Sequence, residues 1–114
     1  ETEEGPCYRI PSVVQTATGS LLAFAEARHG SCLDAYAVHI VSRASHDGGR
    51  TWSDLAVVAG NASVRLGNPT AVTLASGRLL LLLATHSAKC AGQCVTGNAV
   101  TVSDDHGASW SIPA

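Results

Sequence analysis

Ser45 to Trp52 reads SHDGGRTW, and Ser103 to Trp110 reads SDDHGASW. Both fit Ser-x-Asp-x-Gly-x-Thr/Ser-Trp, at an offset of 58 residues from Ser45 to Ser103. The pattern predicts a hairpin turn. An Asp side chain accepts hydrogen bonds from backbone N–H groups of its own turn, and Gly supplies the φ > 0 residue that a tight reversal needs. The flanking Ser adds a second local acceptor. Trp52 and Trp110 are expected to open the following strand as large apolar anchors, each with one N–H to satisfy. These turns are structural, so what they build matters more than what they touch.

The offset extends beyond the turns without a gap: Pro11 aligns with Pro69, Gly19 with Gly77, Leu21 and Leu22 with Leu79 and Leu80, and Cys32 with Cys90. Each unit therefore carries one plan. A strand near residues 10–15 (68–73) leads to a Thr/Ser-Gly hairpin at 18–19 (76–77), then to the apolar strand LLAFAEAR or LLLLLATH. A loop with a Cys, a third strand, the Asp turn and a fourth strand follow. Repeats of roughly 40 to 60 residues with four short strands are the signature of propeller blades, and no segment has helical periodicity. The predicted fold is all-β: about two four-stranded antiparallel blades of a β-propeller, the first over residues 8–58 and the second over 66–114. Closure needs roughly four to eight blades, so a partial propeller is expected, with blade faces left open. The run LLLLLA at 79–84 is too short to span a bilayer and is expected to be a strand buried on both faces.

Hydrophobic residues make up 46% of the chain and charged residues 14%, the balance of a core-forming chain rather than a disordered one. A net charge of −2 gives no broad basic field, which makes nucleic acid and anionic membranes poor partners. Four cysteines leave two readings open: bonds Cys7–Cys32 and Cys90–Cys94 in an exported protein, or free thiols. Asn61-Ala62-Ser63 is a glycosylation sequon and leans toward a secreted, lysosomal or cell-surface location. His86, Cys90 and Cys94 carry zinc-type donors, but no fourth ligand stands at a zinc-like spacing, so no metal or other cofactor is expected.

Positions shared by both units belong to blade architecture, and those present in one unit are free to serve a site. Arg9 aligns with Gly67 and Asp34 with Gly92, while Arg28 aligns with His86 and keeps part of its basic character. Glu26 and Arg28 fall on one face of their strand because side chains alternate with period 2. Spacing alone also allows a surface salt-bridge cluster of Arg28, Glu26 and Asp34, with little energetic weight.

Taken together, Tyr8-Arg9-Ile10-Pro11, the strand GSLLAFAEAR, Asp34 soon after it, the paired Asp boxes and Gly67-Asn68-Pro69 resemble the amino-terminal part of exo-α-sialidases, six-bladed BNR-repeat propellers. The departures are Ser109 in place of Thr in the second box and Cys32 in the loop before Asp34. The resemblance implies that Arg9 is the first of three arginines clamping the sialic acid carboxylate, a task suited to a planar fork of donors that is always charged. It further implies that Arg28 lies near the sugar's 4-hydroxyl, that Asn68 lies at the pocket rim, and that Glu26 orients an arginine. Asp34 would be the acid/base at the glycosidic oxygen, its pKa held up by partial desolvation.

The implied activity is retaining hydrolysis of terminal α-linked sialic acid from glycoproteins, glycolipids or oligosaccharides. Its nucleophile is a tyrosine activated by a glutamate. An anionic nucleophile would be repelled by the substrate's own carboxylate, whereas a phenol deprotonated during attack is not. Neither Tyr8 nor Tyr36 matches that position, so the nucleophile pair and the other two arginines are expected from later blades. The 114 residues alone are then expected to be inactive. The competing class is a non-catalytic Asp-box propeller that binds glycans or protein ligands, and the joint presence of Arg9, Arg28 and Asp34 favours the enzyme.

Overall fold

Period-2 alternation and glycine-bearing turns organise the chain into two antiparallel sheets. The computed structural model describes residues 5–33, 38–60, 64–87 and 95–114. The first sheet has the order β1 (Cys7–Gln15), β2 (Leu21–Arg28), β3 (Val38–Ser45), β4 (Ala56–Ala59), and the second has the order β5 (Val64–Thr73), β6 (Leu79–Ser87), β7 (Val95–Ser103). No helix occurs among the described residues, so none there is long and apolar enough to cross a membrane.

The reversals repeat atom for atom. In the first hairpin Thr16 N donates to Ser20 O at 2.8 Å and Gly19, at φ 88°, donates to Thr16 O at 3.0 Å. In the second, Leu74 N donates to Arg78 O at 2.8 Å and Gly77, at φ 89°, donates to Leu74 O at 2.9 Å. The Asp turns are closed by their own side chains. Asp47 Oδ1 accepts from Ser45 Oγ and from Thr51 N, each at 2.9 Å, and Oδ2 accepts from Thr51 Oγ1 at 2.5 Å. Asp105 accepts in the same way from Ser103 Oγ at 2.7 Å, Ser109 N at 2.8 Å and Ser109 Oγ, so Ser serves there as well as Thr. Led by the hydroxyls of Thr51 and Ser109, these donors lower both carboxyls to about 2.

Beyond each box the chain returns along the third strand of its sheet. Ser53 N donates to Ala44 O at 2.8 Å, and the equivalent Ser111 N donates to Val102 O at 2.9 Å. Trp52 does not open a strand, because β4 starts only at Ala56. Its indole N–H turns back to Gly49 O at 3.1 Å. Among the described residues the second sheet has three strands rather than four. The final residues nevertheless lie along β7, where Val100 and Ala114 exchange two backbone hydrogen bonds of 3.0 and 3.1 Å.

The core lies between the sheets. Leu22, Phe24, Ile40 and Ala59 of the first meet Leu66, Leu79, Leu81 and Leu83 of the second, and Trp110 packs edge-on against Phe24 with ring centroids 5.6 Å apart. Gly107, at φ 91°, lies so close to Leu22 that a Cβ there would overlap it. The leucine run is not buried on both faces as its composition suggested. Leu79, Leu81 and Leu83 are buried but Leu82 is 43% exposed, because only one face of β6 has a sheet against it. Cys7 and Cys32 form a disulfide with Cα atoms 5.2 Å apart. Cys90, Cys94 and the Asn61 sequon lie outside the described residues.

Candidate functional site

At one end of the intersheet seam, β1, β2, β5 and β6 enclose a cleft of about 240 Å³ that carries Arg9, Glu26, Arg28, Arg65, Asn68 and His86. Strand register builds it. Arg9 pairs with Glu26 and Cys7 with Arg28 across β1 and β2, and Arg65 pairs with His86 across β5 and β6. Both inner strands bulge at the cleft, between Arg9 and Ser12 and between Gly67 and Thr70. The residues at the bulges, Ile10 (φ 56°) and Asn68 (φ 52°), are repeat equivalents in the left-handed region, each followed by a proline. A β-branched residue rarely adopts that conformation, so the backbone is strained where it re-aims its side chains toward the cleft.

Glu26 and Arg28 share the inward face of β2, as alternation requires, and each is only 4% exposed. The pair is buried rather than a surface salt bridge. Arg28 Nε and Nη2 donate to Glu26 Oε1 at 2.9 and 2.8 Å, and Nη1 donates to Cys32 O at 2.7 Å. Three donors thus fix the guanidinium plane. The second carboxylate oxygen, Glu26 Oε2, crosses to the other sheet and accepts from Asn68 N at 2.9 Å. Space beside it is tight, since a Cβ on Gly67 would stand 3.0 Å from Glu26 Oε2 and 3.2 Å from His86 Cε1.

Of the residues singled out in the sequence, Arg9, Arg28, Asn68 and Glu26 line this one cleft. Asp34 lies outside the described residues. Cys32, two positions before it, is fixed by the disulfide to Cys7 and by the bond from Arg28. Arg65 is the residue that sequence reasoning missed. It is buried, donates through Nη2 to Ser87 O at 3.3 Å and brings a third guanidinium to the cleft. The rule that singled out Arg9 would have found it, because Arg65 aligns with Cys7 and so occurs in one unit only. Among the described residues the cleft gathers three guanidinium groups beside the carboxylate of Glu26, a donor set that suits an anionic ligand. No cluster of three or more His, Cys, Asp or Glu with metal-binding geometry occurs among the described residues.

A chain of repeated Asp-box units, with an arginine-lined cleft where adjoining sheets meet, defines a BNR-type β-repeat protein. Residues 19–114 match the model of the BNR repeat-like domain, and the chain belongs to that family, among its sialidase-like members. It is 33% identical over 87 residues to an exo-alpha-sialidase of Aspergillus fumigatus, a match covering 71% of this chain and 21% of that protein. Its fold is similar to that of the Hadza microbial sialidase Hz136, with a TM-score of 0.80 and 25% identity over 94% of this chain and 25% of the other. A protein of unknown function from Dyadobacter fermentans shares the fold at a TM-score of 0.78 and 20% identity, over 98% of this chain and 37% of that one. The chain thus spans 21% of the fungal protein and 25% of Hz136.

Proposed function

We propose that this chain supplies the first part of an exo-α-sialidase active site, which removes terminal α-linked sialic acid from glycoconjugates with retention. The observation that carries the reading is the gathering of Arg9, Arg28 and Asn68 around one arginine-lined cleft. In this reading Arg9, exposed at the mouth, takes the substrate carboxylate, and Arg28, held in plane by Glu26 and Cys32 O, meets the sugar's hydroxyl edge. Asp34 protonates the leaving oxygen in the first step and deprotonates water in the second. The tyrosine nucleophile, its glutamate and the other clamp arginines belong to further blades, so the 114-residue chain alone turns over no sialoside.

The test is made in a protein that carries this chain together with those blades. Asp34→Asn lowers turnover of natural sialosides, whose leaving oxygen is basic, much more than turnover of activated aryl sialosides. Equal losses on both substrates would remove Asp34 from the acid/base role. Sialoside binding without turnover in the unmutated protein would assign the cleft to a non-catalytic binder.

A further inference from the structure

We propose that the Cys7–Cys32 disulfide is a thiol-exchange site that controls the cleft: a small dithiol opens it in the folded protein, and opening it loosens the grip on the Arg28 guanidinium. The bond is built around that one side chain. Cys7 pairs with Arg28 across β1 and β2, and four residues past Arg28 the chain is bonded back to Cys7 through Cys32, the two Cα atoms 5.2 Å apart. That return sets Cys32 O 2.7 Å from Arg28 Nη1, while Glu26 takes Nε and Nη2. The neighbouring bond, Leu33 N to Ser31 Oγ at 3.2 Å, stays within the same segment and does not tie it to the sheet. The cross-link is what ties Cys32 to β1. The repeat, too, places the cross-link with the arginine. At the 58-residue offset Cys7 and Arg28 correspond to Arg65 and His86, so the second unit has neither the first cysteine nor the guanidinium that pairs with it.

The bond is also within reach of a reagent. Cys32 is exposed and Cys7 half-buried, and both line a cavity of about 420 Å³ together with Gly5, Gly30 and Ser31, residues too small to screen the sulfurs. A thiolate of the dithiol attacks one sulfur and forms a mixed disulfide, and the other cysteine leaves as a thiolate that takes up a proton. The second thiol of the reagent then loses its proton, attacks the mixed disulfide and departs as part of a cyclic disulfide, leaving the remaining cysteine as a thiol. Two electrons and two protons thus pass from the dithiol to the pair. What the opened pair loses is position: Cys32 is no longer tied to β1, its carbonyl moves off Nη1, and the guanidinium keeps its bonds to Glu26 with one fewer donor fixed. The sheets stay, because neither the strand register nor the intersheet core runs through the cross-link. The contact of Arg28 with a sugar rests on the sialidase reading, but the thiol chemistry and the motion of the guanidinium do not.

The test uses the protein that carries this chain with its further blades, with dithiothreitol as the dithiol and circular dichroism to follow the sheets. Mass tagging is expected to find Cys7 and Cys32 as thiols while the sheets persist. Rotation of the Arg28 guanidinium in arginine NMR spectra is expected to quicken about tenfold, the effect of losing one hydrogen bond to a charged group. Reoxidation reverses both. The double variant Cys7→Ser, Cys32→Ser shows the fast rotation without reagent and ignores dithiothreitol, which separates this bond from any other cysteine pair. Affinity for sialic acid falls about tenfold on reduction, whereas in Arg28→Lys it is low from the start and reduction lowers it no further. A pair that resists dithiothreitol in the folded protein overturns the proposal, as do sheets that melt when it opens or an Arg28 that rotates no faster. Sialic acid bound equally well before and after reduction overturns the link to the cleft. A protein that binds no sialic acid in either state removes the sialidase reading instead, and the Arg28 spectra still decide this one.

Discussion

Glu26 is the residue on which the cleft turns. One oxygen holds Arg28 and the other holds the backbone of Asn68 in the neighbouring sheet. Glu26→Gln keeps the size and removes the charge that Arg28 Nε and Nη2 donate to in a buried setting. Denaturant unfolding is expected to show a loss of about 3 to 5 kcal/mol, and a loss under about 1 kcal/mol would show that Arg28 is satisfied without it. Gly67→Ala makes a different point, because the added Cβ presses on the carboxylate that receives Asn68 N. Amide exchange at Asn68 should speed up while that of the β6 leucines is unchanged, and equal protection in the two proteins would mean that Glu26 can shift at no cost. The Glu26–Arg28 pairing was legible in the sequence because alternation is a local rule. The bond to Asn68, 42 residues away, was not, since it depends on how two sheets pack. Arg65 was within reach of the repeat comparison, since it aligns with Cys7, but its place in the cleft comes from its pairing with His86 across the second sheet.

At the scale of elements, the Asp boxes make a pH prediction whose sign follows from their carboxyls. Asp47 and Asp105 lie at about 2 in the fold against an ordinary 3.8, so the folded state favours the ionised form. Their contribution to stability is complete above about pH 4 and is lost as the pH falls toward 2. Melting temperature followed across that window should drop, and the double variant Asp47→Asn, Asp105→Asn should flatten the drop while melting lower at neutral pH. An unchanged acid profile would show that the boxes do not carry it. The Cys7–Cys32 bond closes a 25-residue separation, and Cys7→Ser should cost roughly 2 to 4 kcal/mol in denaturant unfolding. The boxes were readable because every bond that closes them is local. The cysteine pairing was left open in the sequence and follows from register: Cys7 pairs with Arg28 across the strands, and the chain bends back to it by Cys32. That the second sheet has three strands among the described residues was not readable, because Val100 and Ala114 share their two bonds where no regular strand forms.

For the molecule as a whole, the repeat decides both the fold and the place of the site. Two copies of one sheet pack through unlike faces, and the cleft opens at the end of their seam, where the copies diverge: Arg9 against Gly67, Arg28 against His86, Cys7 against Arg65. Shared positions build sheets, and unshared ones gather at one end. The central claim is that this arginine-lined cleft receives the carboxylate of a sialoside, with Arg9 as its exposed arm. The most direct measurement is Arg9→Lys in a protein that carries this chain with the remaining blades, with sialoside affinity and thermal melting recorded side by side. The substitution keeps the charge but loses the two-pronged fork, so binding should weaken by roughly 2 to 5 kcal/mol while the melting temperature stays near that of the unmutated protein. A variant that melts far lower yet binds with unchanged affinity would contradict the account, because Arg9 would then hold the fold together and not the ligand.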